Sequence, residues 1–478
     1  MRNRPSDRFF RLCLTKDFFR FELAGMNGLL CTSCPFLLIT RIHNGDVIFR
    51  VQVNGGTEKP MRVKEKKAKG PTALIGWSLP IMEAADRLNM PFVVVGPPSC
   101  EDYAKKYDLP FVGWDFDRWN KEVPMAQRYQ QSEELYNQLK EHKTELAVPL
   151  FEETVEWAGA LNARFREDPR IFYHSLLFRH KARMKRRAQI GGLKVGVFEE
   201  GNNKDEVKEF FKRINDVHMK LKDDEFEPIH IKPFDRAGAA GHRLIRSEND
   251  IEEKLNDNNF PCLMESHLDG VEVSCEVFIH KGKIKFLNIT EYVVFGYSMM
   301  APPSPEIEKK RPQIREACQQ LIDAFNIEYG VIHPEFFLAE DGRINFGEVA
   351  YRVAGGHIYE LMQRTYDFNP FEGHLLCCDP NTTEEELDDF FPDETKPNGH
   401  AGSLLVYPRV KYIQGLNIPE ELEEHPGFDR HNMFTPIERK TPDREGYGNH
   451  HGTVFFYHQD CEQVKQPLRD FVEHDFYV

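Results

Sequence analysis

Val331 to Arg352 reads VIHPEFFLAEDGRINFGEVAYR, the stretch of this chain richest in chemistry. Asp341-Gly342 is a two-residue hairpin turn between runs that can form strands. With that turn, Glu335 falls opposite Glu348, His333 opposite Ala350 and Val331 opposite Arg352. Strand alternation then puts Glu335, Glu348 and Arg352 on one face. Two carboxylates directly opposite each other repel by up to ~1 kcal/mol. The pair is tolerated as an exposed acidic ribbon or around a cation, and paired carboxylate oxygens suit Mg²⁺. Pro334 lacks an N–H, so the first strand is expected at an edge or bulged.

Three upstream segments bear on an anion. Ile229-His230-Ile231-Lys232 is a short strand ending in a cation. Asp235 to Gly241 follows as a small-residue loop, whose backbone N–H groups can close on anionic oxygens or simply make a turn. Arg243-Leu244-Ile245 returns as a strand, and Ser247 opens a helix. In residues 262–291, Val271, Val273, Cys275, Val277 and Ile279 form one apolar face, with Glu272, Ser274 and Glu276 on the other. A turn at Lys281-Gly282 places Glu272 opposite Glu291. Glu272 suits a ribose hydroxyl pair, although a solvated polar face gives the same alternation. Further upstream, His180 to Arg187 is a basic helix, mostly a solvated face, from which one cation reaches a nucleotide.

These segments need a scaffold. Ala73 to Gly76, Ile81 to Leu88 and Phe92 to Gly96 read as strand, helix and strand, hence a parallel sheet. Ser132 to Arg166 is helical by period, split at Pro149. Residues 171–380 alternate helices with strand pairs. Residues 380–400 read as an acidic helix and linker. Strands at Leu404–Tyr407 and Val454–Tyr457 and a helix from Glu462 follow.

Composition sets the limits. The 478 residues are 40% hydrophobic and 29% charged, enough for packed cores and unlike a disordered chain. The net charge of −15 argues against broad binding to nucleic acid or anionic lipid, but leaves room for a local cationic pocket. No apolar run reaches the ~20 residues of a helical span, and the start lacks a secretory-signal layout. The ten cysteines are irregularly spaced, so a reducing compartment, most simply the cytosol, is expected. The first 70 residues are basic and read as an extension or, alternatively, an organelle-targeting segment. Their Cys31-x-x-Cys34 reads as ordinary thiols rather than zinc ligands.

Lys181, the Lys232-to-Gly241 strand and loop, Glu265-x-x-Leu268-x-Gly270-x-Glu272, and Glu335 with Glu348 and Arg352 occur in one order. That order resembles the ATP-grasp superfamily, in particular its carboxylate–amine ligases, over about residues 72–475. The resemblance implies an α/β (α+β) fold: an N-terminal parallel α/β domain, two α+β lobes clasping a nucleotide, and a C-terminal β-rich extension. The corresponding segments are 1–70, 71–170, 171–268, 269–380 and 381–478.

It further implies ATP and Mg²⁺ as cofactors. Lys181 and Lys232 then hold phosphates and the adenine edge, and Gly238, Ala239, Ala240 and Gly241 close over the phosphates. Glu265 to Leu268 form a hinge whose backbone pairs with adenine. Glu272 takes the ribose, Glu335 and Glu348 take Mg²⁺, and Arg352 with Lys232 steadies the transferring phosphate. The implied activity joins a small-molecule carboxylate to an amine through an acyl phosphate, releasing ADP, in the cytoplasm, without nucleic acid or membrane and with room for a homodimer. Carboxylation through carboxyphosphate and a non-catalytic ATP-binding regulator are the alternatives. One position departs: the family's Glu-x-Asn-x-Arg is here Glu348-Val-Ala350-Tyr-Arg352, removing one oxygen ligand from a second metal.

Overall fold

The computed structural model describes residues 70–478, apart from 219–225, 237, 435–438, 442–443, 445 and 447–449, and the backbone of four strands in 18–52. The chain divides into two units, 1–69 and 70–478. In the first, Phe18–Leu23 pairs with Met26–Cys31, and Leu37–His43 with Asp46–Gln52, both antiparallel. Cys31-x-x-Cys34 lies outside the residues whose side chains are described.

The second unit begins with a four-stranded parallel sheet, in the order Phe111–Gly113, Phe92–Gly96, Thr72–Ile75, Leu146–Pro149. Its central strands are continuous apolar runs because both faces are covered. Ala73, Ile75, Val93 and Val95 pack with Trp114, Leu135 and Trp157 on one side. Leu74, Val94 and Val148 face the helix Leu79–Arg87 and the main core on the other. The fourth strand corrects the sequence reading. The expected helical stretch 132–166 is a helix, Arg128–Glu141, then the strand Leu146–Pro149, then a helix, Val155–Phe165. Helical period runs across Leu146-Ala147-Val148, a short apolar run whose Ala147 and Val148 are buried on the two faces of a sheet.

The next layer is a four-stranded antiparallel sheet in the order Arg243–Ile245, Ile229–Lys232, Cys262–Ser266, Phe198–Gly201. Helices Lys204–His218 and Glu248–Lys254 cover one face, where Val207, Phe210 and Ile251 pack on Ile229, Ile231, Cys262 and Met264. Alternation therefore sends His230, Lys232, Leu263 and Glu265 to the opposite face.

An eight-stranded sheet completes the unit, in the order Ile344–Ala350, Tyr329–Leu338, Val271–His280, Lys283–Val294, Ser298–Ala301, His400–Val406, Gly452–His458, Phe428–Met433. Residues beyond 380 thus continue the sheet that carries the hairpin. Val273, Cys275, Val277 and Ile279 bury one face against the helix Arg311–Phe325. On the other face Phe278 and Phe286 pack under Ile358–Tyr366 and Pro370–Cys378. Cys377 is buried in that core. Glu276 and Ser274, expected on a solvated face as one reading, are fully buried. Among the described residues, no helix is long and apolar enough to cross a membrane.

Candidate functional site

The facing surfaces of the two antiparallel sheets are joined by the helix Lys181–Ile190. Lys232, sent to the inner face by alternation, places its ammonium 2.9 Å from Glu265 Oε2. Lys185, from the helix, ion-pairs with the other oxygen of Glu265. Lys185 Nζ also donates to the Phe346 carbonyl at 3.2 Å. Lys185 is 2% and Glu265 1% exposed, so this ion pair is dry, while Lys232 is only partly buried. Burial would raise the Glu265 carboxyl, but Lys185 and Lys232 pull it down to about 2. Burial pushes the Lys185 ammonium below its ordinary value despite Glu265. It opposes the charge on Lys232 too, yet Glu265 and Glu348 hold that ammonium above its ordinary value. By sequence Lys185 is one cation of the basic helix, with no role of its own. Its spacing of four from Lys181 is the signal, because positions i and i+4 share a helix face.

The hairpin closes the cleft. Its turn spans one residue more than the two-residue reading: Ala339 N–H donates to the Arg343 carbonyl, and Leu338 pairs with Ile344. Past a register shift between Pro334 and Phe336, Pro334 pairs with Val349 and His333 with Ala350. The irregularity restores the expected opposition at the far end and leaves Glu335 facing Gly347 and Glu348, as a bulge does. A Cβ on Gly347 would stand 3.0 Å from the Glu335 carbonyl oxygen. The predicted Val331–Arg352 pair is absent from the ladder, which ends at His333–Ala350. Likewise Glu291 pairs with Val273, not Glu272, because the strands slip by one residue between Phe278 and Ile279.

Glu348 ion-pairs with Lys181. Burial opposes its charge, but Lys181 and Lys232 bring it down to about 2. Burial and then Glu348 raise the Glu335 carboxyl. Burial and then Glu335 push Glu272 up to about 9. Three carboxylates therefore share one region in which two are held back from ionising. That is the electrostatic signature of a place that a divalent cation would relieve. Among the described residues, no group of three or more His, Cys, Asp or Glu side chains has metal-site geometry. Glu335 and Glu348 fit a site completed by phosphate and water oxygens, as Mg²⁺ prefers. His333 Nδ1 donates to Glu276 Oε1 at 3.0 Å, and its Nε2 stands 3.8 Å from Glu335. Glu276 is itself bonded by Ser274, Asn288 and Thr290.

Arg352 lies beyond the strand, with its Nε 3.0 Å from Glu152 Oε2. Glu152 also accepts from Arg179 at 2.7 Å. No local spacing signals that Glu152, 200 residues away, anchors Arg352. Glu272 and Leu268 flank Gly270, which has φ +117°, and whose added Cβ would lie 2.4 Å from the Leu338 carbonyl oxygen. The segment after Glu265 is pinned by Ser266, whose N–H donates to the Val197 carbonyl at 2.8 Å. In the loop, Gly238, Ala239 and Gly241 have φ of +59°, +58° and +74°, and no atom lies within 4 Å of a Cβ built on Gly238. Ala240 lies between them. Behind the loop, His242 and His230 are joined at 2.9 Å, and His230 and His267 at 3.0 Å, an unforeseen row of three imidazoles.

Residues 225–360 match the family described as ATP-grasp domain. Over 178 residues the chain is 26% identical to an L-arginine-specific L-amino acid ligase of Bacillus subtilis. That match covers 34% of this chain and 43% of that relative, less than half its length. An L-amino acid ligase structure from Bacillus licheniformis superposes with a TM-score of 0.65 at 17% identity, covering 86% of this chain and 99% of that one. The biotin carboxylase domain of a Hydrogenobacter thermophilus 2-oxoglutarate carboxylase, in complex with MgADP and bicarbonate, gives 0.58 at 14% identity, covering 86% and 91%.

Proposed function

We infer that this chain, which carries an ATP-grasp domain, is an ADP-forming ligase that activates a small-molecule carboxylate and joins it to an amine. The observation that supports this best is that Glu335 and Glu348 meet at the hairpin's register break, close enough to repel, with Lys181 paired to Glu348 and with Lys185 and Lys232 on Glu265 beside them. ATP and Mg²⁺ are its cofactors in this reading. The lysines carry the phosphates, Glu272 takes the ribose, and residues 266–268 border the base. Glu335 and Glu348 hold Mg²⁺, which when bound neutralises charge on the phosphates.

The chain's own part is positioning and electrostatics, since phosphoryl transfer asks little covalent help of a protein. A carboxylate oxygen of the substrate takes the γ-phosphoryl group, and ADP leaves. Lys232, and Arg352 anchored by Glu152, face the negative charge of the transferring group. Residues 238–241 close over the phosphates and exclude water, so the acyl phosphate survives for the amine. The amine nitrogen then bonds to the acyl carbon, phosphate leaves with its oxygen, and the nitrogen gives up a proton. Ala350 supplies no ligand, so any second metal relies on water or substrate at that position.

The test is a panel of carboxylates and amines, amino acids included, with ATP and Mg²⁺, reading ADP and product mass. The expected result is ADP release that needs both a carboxylate and an amine. Release that depends on bicarbonate would favour carboxylation, in line with the carboxylase neighbour. ATP binding with no ADP across the panel would replace the ligase reading with a regulatory one.

A further inference from the structure

A cavity of about 930 Å³ in the unit is lined by none of Lys181, Lys185, Lys232, Glu335 and Glu348. It lies on the outer side of the small-residue loop. Its wall carries Arg183, Arg236, Arg243 and Arg444, and Asp235 is the one acidic side chain among the described lining residues. In a chain of net charge −15, the described lining side chains carry four arginines against one acid. Arg183 is two residues from Lys181 and so projects from the opposite side of the helix, away from the cluster with Glu265. Among the described residues, Arg183 and Arg236 have no carboxylate partner. Arg243 bonds, among the described residues, only the His242 carbonyl at 2.9 Å. Arg444 is engaged by the carbonyls of Gly296 and Gly446 at 2.8 and 2.9 Å and by the rings of Tyr297 and Tyr407 at 4.4 and 3.7 Å. Arg183, Arg236 and Arg243 are therefore the guanidiniums open to a ligand. The Nδ1 of His180, also on the wall, is buried without a hydrogen-bond partner. The cavity borders the cleft: Lys181 N–H donates to the Phe234 carbonyl at 2.9 Å, and His242, which lines it, feels the charges of Lys232 and Glu348.

We propose that this cavity is a polyanion site: it takes a molecule bearing two or more carboxylate or phosphate groups, seated beside the nucleotide rather than in its place. Guanidinium groups that lack protein carboxylates are matched by carboxylate or phosphate forks. The proposal rests on the nucleotide reading above and would make the ligase's second substrate, or an effector, strongly anionic.

Calorimetry tests it on the full chain saturated with a non-hydrolysable ATP analogue and excess Mg²⁺. The probes are inorganic pyrophosphate and propane-1,2,3-tricarboxylate, so the two arms separate a phosphate source from a carboxylate one. At least one probe is expected to bind, weakening as salt rises. Arg183→Gln with Arg243→Gln is expected to weaken it at least tenfold while leaving analogue affinity intact. Arg236→Gln, at an exposed loop position, gives the same direction should the pair fail to fold. Lys208→Gln with Arg213→Gln, the same charge loss elsewhere on the surface, is expected to change nothing. Binding of neither probe, equal weakening in the control, or loss of probe binding on adding the analogue would each overturn the proposal. Failure of the analogue itself to bind would instead strike the nucleotide reading, and the probes alone would still report on the cavity.

Discussion

Removing one ammonium from the buried Lys185–Glu265–Lys232 cluster has a calculable effect. Lys185→Met keeps the side-chain length and deletes the charge. Both Lys185 and Glu265 are almost completely inaccessible, so the exposed-pair value of under 1 kcal/mol does not apply. Breaking a buried pair by deleting one partner costs roughly 3–5 kcal/mol. Glu265 keeps Lys232 at 2.9 Å, which places the loss at the lower end, about 3 kcal/mol. That corresponds to roughly a hundredfold in an opening equilibrium. Hydrogen exchange read by mass spectrometry on Ile229–Lys232 and Cys262–Ser266 should show protection falling by about that factor. The parallel sheet at Thr72–Ile75 should be unaffected. Lys185→Met combined with Glu265→Leu should lose less than the sum of the single changes, because the orphaned carboxylate is gone. Unchanged protection in both strands of Lys185→Met would refute the electrostatic account of the cluster.

Two further outcomes follow from the carboxylates and imidazoles. Burial and then Glu335 push Glu272 to about 9, so Glu272 carries a proton at pH 7 that Mg²⁺, by offsetting the Glu335 charge, should release on nucleotide binding. Binding enthalpies measured in buffers of different ionisation enthalpy should therefore differ, and identical values would contradict the assignment. Burial, with Lys232 next, brings His230 and His242 down to about 3 and 4 from 6.5, against which Glu265 pulls the other way on both, Glu348 also on His242, and Arg243 adds to the lowering of His242. Below pH 6.5 the unfolded chain takes up protons that these folded imidazoles refuse, so stability should fall as pH drops from 6.5 toward 4. Denaturant midpoints across that range should fall less steeply in His230→Gln than in the parent chain, and parallel curves would count against it.

Local patterns were legible where one interaction decides them. Phe92-Val93-Val94-Val95, rich in β-branched residues and bounded by Pro91 and Gly96, reads as a buried strand and is one, and Lys281-Gly282 forms the expected turn, with both at positive φ. The register of the hairpin's far end, His333 with Ala350, was also readable, although through two compensating departures, a longer turn and a bulge, and the bulge sets Glu335 against both Gly347 and Glu348. Neither leaves a mark in a two-residue pattern of alternation. Leu146-Ala147-Val148 was missed because a four-residue apolar strand and a helix segment look alike until the neighbouring strand is known. The anchoring of Arg352 by Glu152 and the burial of Glu265 between two lysines are tertiary facts. They join residues far apart in the chain, and no local spacing encodes them.

The central claim is that Glu335 and Glu348 together bind the Mg²⁺ that accompanies ATP. The most direct measurement is ADP release as a function of Mg²⁺ concentration, with a substrate pair active in the parent chain, for that chain and for Glu348→Gln. Glu348→Gln keeps the side chain's shape and Lys181 as a neighbour, and loses the anionic oxygen. The account predicts that it folds, binds nucleotide without metal, and fails to release ADP even at high Mg²⁺. ADP release by Glu348→Gln at the parent rate and with the parent Mg²⁺ dependence would contradict it.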